Sequence, residues 1–207
     1  MLDALRNNLA RHRPERLQGS DYPEAAVLLP VTREPDPKLV LTRRAGHMKT
    51  HSGQVAFPGG KRDPEDTDLI ATALREAQEE VGLDPSQVEV LGSLGELISL
   101  HGIRVTPYVG LIPGQLELYP CEDELDAIFQ VPLRWFFDDP RSHTDEIQVA
   151  EQRLYVPSYN WNEFTIWGLS AMMLVELLQV GFNMDISLKH KPQGKTIKRP
   201  VRPFPPR

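Results

Sequence analysis

Only one cysteine, Cys121, stands among the 207 residues. An intrachain disulfide is excluded, and so sparing a use of thiols fits a reducing compartment, which makes a cytoplasmic protein the expectation. No motif surrounds Cys121, so a cysteine nucleophile is not expected. The chain also lacks any apolar run of about 20 residues, the length that a membrane-crossing helix needs. Its first residues, MLDALRNNLARHRPERL, read as a short basic amphipathic helix and not as a secretory signal. A surplus of positive charge is missing too. The net charge of −6 argues against non-specific nucleic-acid binding by the body of the protein. The length suits one domain with a sizeable core.

Acid is concentrated in one place. Within GGKRDPEDTDLIATALREAQEEVGL, Gly59 to Leu83, a turn feeds one amphipathic helix. Leu69, Ile70, Ala73, Leu74, Ala77 and Val81 recur at helical spacing and predict one apolar stripe. Glu76, Glu79 and Glu80 stand three and four apart on the other side, where like charges repel by about 0.2–0.5 kcal/mol per pair. Arg75, four residues before Glu79, is the local relief. A solvated helix face is the ordinary reading of such a pattern. The flanks favour another one. Phe57-Pro58-Gly59-Gly60 is a tightly bent approach, Gly82 suits a helix C-terminus, and carboxylates without interleaved lysines suit a hard divalent cation, Mg²⁺ or Mn²⁺.

These residues resemble the Nudix box, G-x5-E-x7-R-E-U-x-E-E-x-G-U, with U aliphatic. Arg75, Glu76, Ala77, Glu79, Glu80, Gly82 and Leu83 match its second half. Its first half is one residue longer here, so the first acidic position falls on Asp66 counted from Gly60 and on Thr67 counted from Arg75; Glu65 and Asp66 are the acids at hand. Upstream, Val40 to Gly60 is similar to the signature of the coenzyme A pyrophosphatase branch, L-L-T-x-R-[S/A]-x3-R-x3-G-x3-F-P-G-G. Val40 replaces the first Leu and Lys49 the second Arg, which exchanges a bidentate fork for a point charge. GIRVTPYVG, EDELDAIFQVPL and the stretch from Tyr159 to Gly168 extend the resemblance over most of residues 25–185.

The resemblance implies metal-dependent hydrolysis of the pyrophosphate of coenzyme A or its thioesters, giving 3′,5′-ADP and 4′-phosphopantetheine or its acyl form. Glu76 and Glu80 would bind the metal, with Glu79 as a third ligand or the orienter of a bound water. Arg75 would hold the carboxylates. The general base would be Glu79 or an acid of the loop Glu122-Asp123-Glu124, of which Glu124 is the member singled out. Arg43, Arg44, Lys49 and Lys61 around Gly59-Gly60, with His47 and His51 nearby, would form a cationic cluster for the phosphates. Tyr159, Trp161, Phe164 and Trp167 read as core or as a stacking surface for the ligand. Other nucleotide diphosphates (ADP-ribose, NADH), a nucleoside triphosphate, or a non-catalytic nucleotide sensor are the alternative readings. The partner is a small molecule, neither nucleic acid nor membrane, and a homodimer is left open.

The pattern along the chain predicts an α/β fold, an α/β/α sandwich around a mixed sheet. Helices are expected over 2–13, 67–81 and 165–180, the last capped by Gly181. Strands are expected over 25–30, 39–41, 55–57, 88–97, 104–112, 148–155 and 164–166, with a short helix at 132–136. Residues 1–20 read as a helical arm, 21–188 as the catalytic domain and 189–207 as a tail. From Lys189 onward the chain is basic, Pro-rich and free of acids, so a mobile tail or an arm ordered only by contacts is expected.

Overall fold

The computed structural model describes residues 1–19, 21–47, 52–149 and 152–199. A mixed sheet forms its centre. Strand β1 (Glu24–Arg33) runs parallel to β7 (Arg104–Pro113) over its whole length. The other pairings in this sheet are antiparallel. Along its first half β1 takes β4 (Gly59–Lys61), and further on it meets β2 (Lys38–Arg44). Strands β3 (Val55–Ala56) and β8 (Leu125–Pro132) flank β2, while β5 (Glu89–Ser93) and β6 (Leu97–Ile98) flank β7. A parallel centre covered on both faces explains the nearly unbroken burial of β1, from Ala25 to Thr32.

Helix α2 (Leu69–Val81) covers one face. Its N-cap Asp68 accepts from the Ala71 N–H at 2.8 Å, and Gly82 closes it in the left-handed region at φ 70°. Ala73, Ala77 and Val81 pack on Ala26, Leu28 and Val40. The other face carries α1 (Leu2–Arg11), α3 (Gly168–Phe182) and a second sheet. That sheet is ordered β11 (Phe164–Ile166), β10 (Gln152–Trp161), β9 (Arg141–Val149), β12 (Thr196–Arg199). Among the described residues no helix is long and apolar enough to cross a membrane.

Three expectations need correction. The expected strand over 148–155 straddles two antiparallel strands, β9 and β10, because alternation alone does not reveal a reversal lacking Gly or Pro. Helix α3 runs past Gly181 and closes at Asn183, φ 56°; the missing side chain of Gly181 instead admits Leu5 of α1, whose Cδ1 would lie 2.6 Å from a Cβ there. The N-terminal helix is not a detached arm, since Leu5 and Leu9 are in the main core. For the tail, the arm ordered by contacts is what residues 196–199 show: they form β12, parallel to Thr144–Ile147 of β9. Backbone pairing needs no apolar side chains, so composition did not reveal it. Val201 and Phe204 of the tail lie outside the described residues.

Candidate active site

The turn Phe57-Pro58-Gly59-Gly60 brings the chain along β1 as β4. Gly59 lies at φ 154°, and a Cβ on it would sit 2.4 Å from the Ala26 carbonyl oxygen and 2.5 Å from Val27 Cα. Two backbones therefore touch, and only glycine fits. A Cβ on Gly60 would fall 2.4–2.5 Å from the carboxylate of Glu76. The pair of glycines opens the space into which α2 presses its acids.

Glu80 takes the deepest place. It is 4 % exposed, and Oε2 accepts from the Gly59 N–H at 3.0 Å. The wheel put it on the solvent side of the helix; the glycine backbone instead lets the sheet close over it. Burial pushes its pKa up to about 7, the neighbouring Glu76 and Glu124 add to the rise, and the Gly59 N–H and Arg44 oppose it. Glu76 is raised as well, again first by burial. Ile70, expected in the apolar stripe, is exposed.

Arg75 organises the outer rim. Its Nε and Nη2 hold both oxygens of Asp66 at 3.0 Å, Nη1 reaches Glu76 Oε1 at 3.0 Å and Glu79 Oε2 at 3.2 Å, and Nη2 also donates to the Lys61 carbonyl at 3.1 Å. The acid that meets Arg75 bidentately is thus Asp66, the residue reached by counting from Gly60. Glu65 is exposed. Thr72 Oγ1 and the Asp63 N–H also donate to Asp66, and together these partners hold its carboxyl below the usual carboxylate range, the Arg75 hydrogen bonds foremost.

A stability effect follows. Depression of the folded-state pKa means that Asp66 contributes stability above its unfolded value of about 4 and loses it as pH falls below that. Asp66→Asn is expected to cost about 3 kcal/mol at pH 7, since it leaves part of Arg75 unpaired. The deficit should shrink by pH 3. Urea melts at both pH values check this; an equal deficit at the two would remove Asp66 as the titrating partner.

Two further side chains reach the carboxylates. Arg44 Nη1 is 3.7 Å from Glu80, and Nη2 is 3.8 Å from Glu124. Glu124 arrives on a loop stitched to the end of α2: Tyr119 N–H donates to the Val81 carbonyl, and Cys121 N–H to that of Glu80 at 2.9 Å. The Ala45 N–H in turn donates to the Glu124 carbonyl at 2.8 Å, and His47 Nε2 lies 3.1 Å from the Asp123 carbonyl oxygen.

Among the described residues, the expected cationic cluster is divided between two faces of the sheet. Successive residues of a strand face opposite ways. Arg44 meets α2, so Arg43 points to the other face, where it binds Asp126 at 2.6 Å and lies 5.1 Å from the Phe164 ring centre. Asp126 is the extra residue of a bulge opposite Arg43 and Arg44. Lys61 is exposed at the end of β4. Lys49 and His51 lie outside the described residues. Phe164 stacks on Phe129 at 3.8 Å and, with Tyr159, belongs to the core.

The donor set is oxygen-only and its two deepest members are penalised as bare anions, which is the chemistry a divalent cation relieves. In this conformation Glu76 and Glu79 lean on Arg75, and among the described residues no three such side chains surround a common point.

The NUDIX domain model matches residues 22–152. The uncharacterized Nudix hydrolase NudL of Yersinia pestis (strain Pestoides F) is 47 % identical over 157 residues, covering 75 % of this chain and 78 % of that one. The chain therefore belongs to the Nudix family, hydrolases of pyrophosphate bonds that generally use divalent metal ions. Among solved structures, a Nudix hydrolase of M. smegmatis, RenU, matches with TM-score 0.46 and 25 % identity over 56 % of this chain and 73 % of its own. The NUDIX domain of Shewanella oneidensis NrtR complexed with ADP ribose matches with TM-score 0.46 and 20 % identity over 64 % of this chain and 85 % of its own.

Proposed function

We propose that this Nudix hydrolase cleaves the pyrophosphate of coenzyme A or its thioesters. The observation that carries the reading is the segment from Val40 to Gly60. Its sequence resembles the coenzyme A signature, and both its Arg44 and its glycine turn contact the carboxylates of α2. A cytoplasmic enzyme acting on a small molecule fits the lone thiol and the negative net charge.

In this reading Glu76 and Glu80 are ligands of Mg²⁺ or Mn²⁺, joined by Glu79. A divalent metal held there would neutralise phosphate charge and lower the pKa of the attacking water. Arg75 bridges and orients Glu76 and Glu79, with Asp66 fixing the guanidinium from behind. Glu124 is the general base. It is half-exposed, whereas Glu79 is engaged by Arg75. Water adds to one phosphorus, its proton passes to Glu124, and the other phosphate leaves. Coenzyme A and water thus give 3′,5′-ADP and 4′-phosphopantetheine.

Arg44, already beside Glu80 and Glu124, is assigned to the pyrophosphate, and Lys61 to the 3′-phosphate. Arg44→Ala should then raise KM for coenzyme A and for dephospho-coenzyme A alike, by about tenfold or more, the worth of one charge-assisted phosphate contact. Lys61→Ala should raise it for coenzyme A alone. The deciding experiment incubates the protein with Mg²⁺ or Mn²⁺ and coenzyme A, acetyl-coenzyme A, ADP-ribose, NADH or a nucleoside triphosphate, and identifies products by mass. Faster cleavage of ADP-ribose or NADH than of either coenzyme A species would overturn the substrate assignment.

A further inference from the structure

Asp145 has no exposed surface, although it belongs to β9, next to the margin of the second sheet. A carboxylate so placed needs a partner, because an unpaired buried charge is strongly destabilising. Two side chains lie against it. Arg199 Nε donates to Oδ1 at 2.8 Å, and His143 Nε2 is 3.3 Å from the same oxygen. Arg199 comes from the basic tail.

The backbone contacts converge on the same place. Thr144 N–H donates to the Lys195 carbonyl at 2.8 Å, and Thr196–Arg199 lie in parallel register with Thr144–Ile147. The arrangement is complementary in charge: the tail from Lys189 has no acid, and β9 offers Asp145 and Glu146. Arg199 also lies 5.5 Å from the Trp167 ring centre. Trp167 caps α3, and Ser170 in the first turn of α3 donates to the Val55 carbonyl at 2.9 Å. Val55 is in β3, the strand that leads into the Gly59-Gly60 turn.

We propose that residues 195–199 are a strap. They close the second sheet as its edge strand and neutralise the buried Asp145 through Arg199, so that lifting the strap leaves a buried carboxylate without its cation. The strap thereby links the C-terminal segment to the layer that supports β3. It is an ordered part of the enzyme and not a dispensable tail.

The test uses the full chain carrying Arg199→Met, alone and together with Asp145→Asn. Arg199→Met removes the cation and keeps the length of the side chain. Its melting temperature is expected to fall by about 5 °C or more, and the Thr144 amide to exchange with solvent at least about tenfold faster. Adding Asp145→Asn removes the stranded charge and should restore at least half of the lost melting temperature. Arg199→Met melting within about 1 °C of the parent overturns the strap, as does a double variant no more stable than the single one. Should Arg199→Met fail to fold, a folded double variant supports the strap and an unfolded one overturns it.

Discussion

Glu80→Gln is expected to fold like the parent and to lose at least about a hundredfold in turnover, with Glu76→Gln similar; if these carboxylates hold a metal as proposed, removing one is that costly because the attacking water is no longer activated. Glu80 is buried against the Gly59 N–H, and glutamine keeps its volume and an acceptor oxygen for that bond. What glutamine lacks is charge. Burial already disfavours the anion at this position, so the fold itself does not require it. Thermal melts with and without Mg²⁺ and initial rates on coenzyme A separate the two roles. A parent-like rate in both variants would reduce the carboxylates to an ordinary helix face.

Gly60→Ala is expected to leave a folded protein with at least about a tenfold loss of turnover, a displacement effect of the kind that an ångström of misplacement produces. The added methyl would meet the Glu76 carboxylate at 2.4–2.5 Å, and that group is the far end of a flexible side chain. It can swing away, which spares the fold and spoils the site. Gly59→Ala should behave differently. Its methyl would meet the Ala26 carbonyl and Val27 Cα, which are fixed in the central sheet, and its φ of 154° is one that L side chains rarely adopt. Loss of soluble folded protein is expected there, beside a well-folded but slow Gly60→Ala. Two neighbouring glycines with opposite failures would locate the carboxylate against the turn. Equal melting temperatures for both variants would contradict this geometry.

The helix α2, its glycine cap and the carboxylate spacing were legible because they are local: a 3.6-residue period, a cap and a charge pattern all sit within 25 residues. The same local reading misjudged depth. On a helical wheel Glu80 belongs with the polar side, yet β4 closes over it, since two glycines allow a backbone approach that no periodicity records. It also left Glu65 and Asp66 undecided, and only the Arg75 fork separates them. Arg43 and Arg44 look equivalent as neighbours in a chain. Strand pleating sends one to the carboxylates and the other to Asp126 and Phe164.

By itself, then, the sequence determined the family, the α/β class and the acidic helix, because each is written in residue type and short spacing. Tertiary structure alone decided which acid meets Arg75, which arginine faces the site, how deeply Glu80 is held, and that the tail returns as an edge strand. Those outcomes depend on contacts between residues 9 to 83 positions apart, from Asp66 and Arg75 to Arg43 and Asp126. Such contacts arise only when packing of the whole chain brings distant segments together.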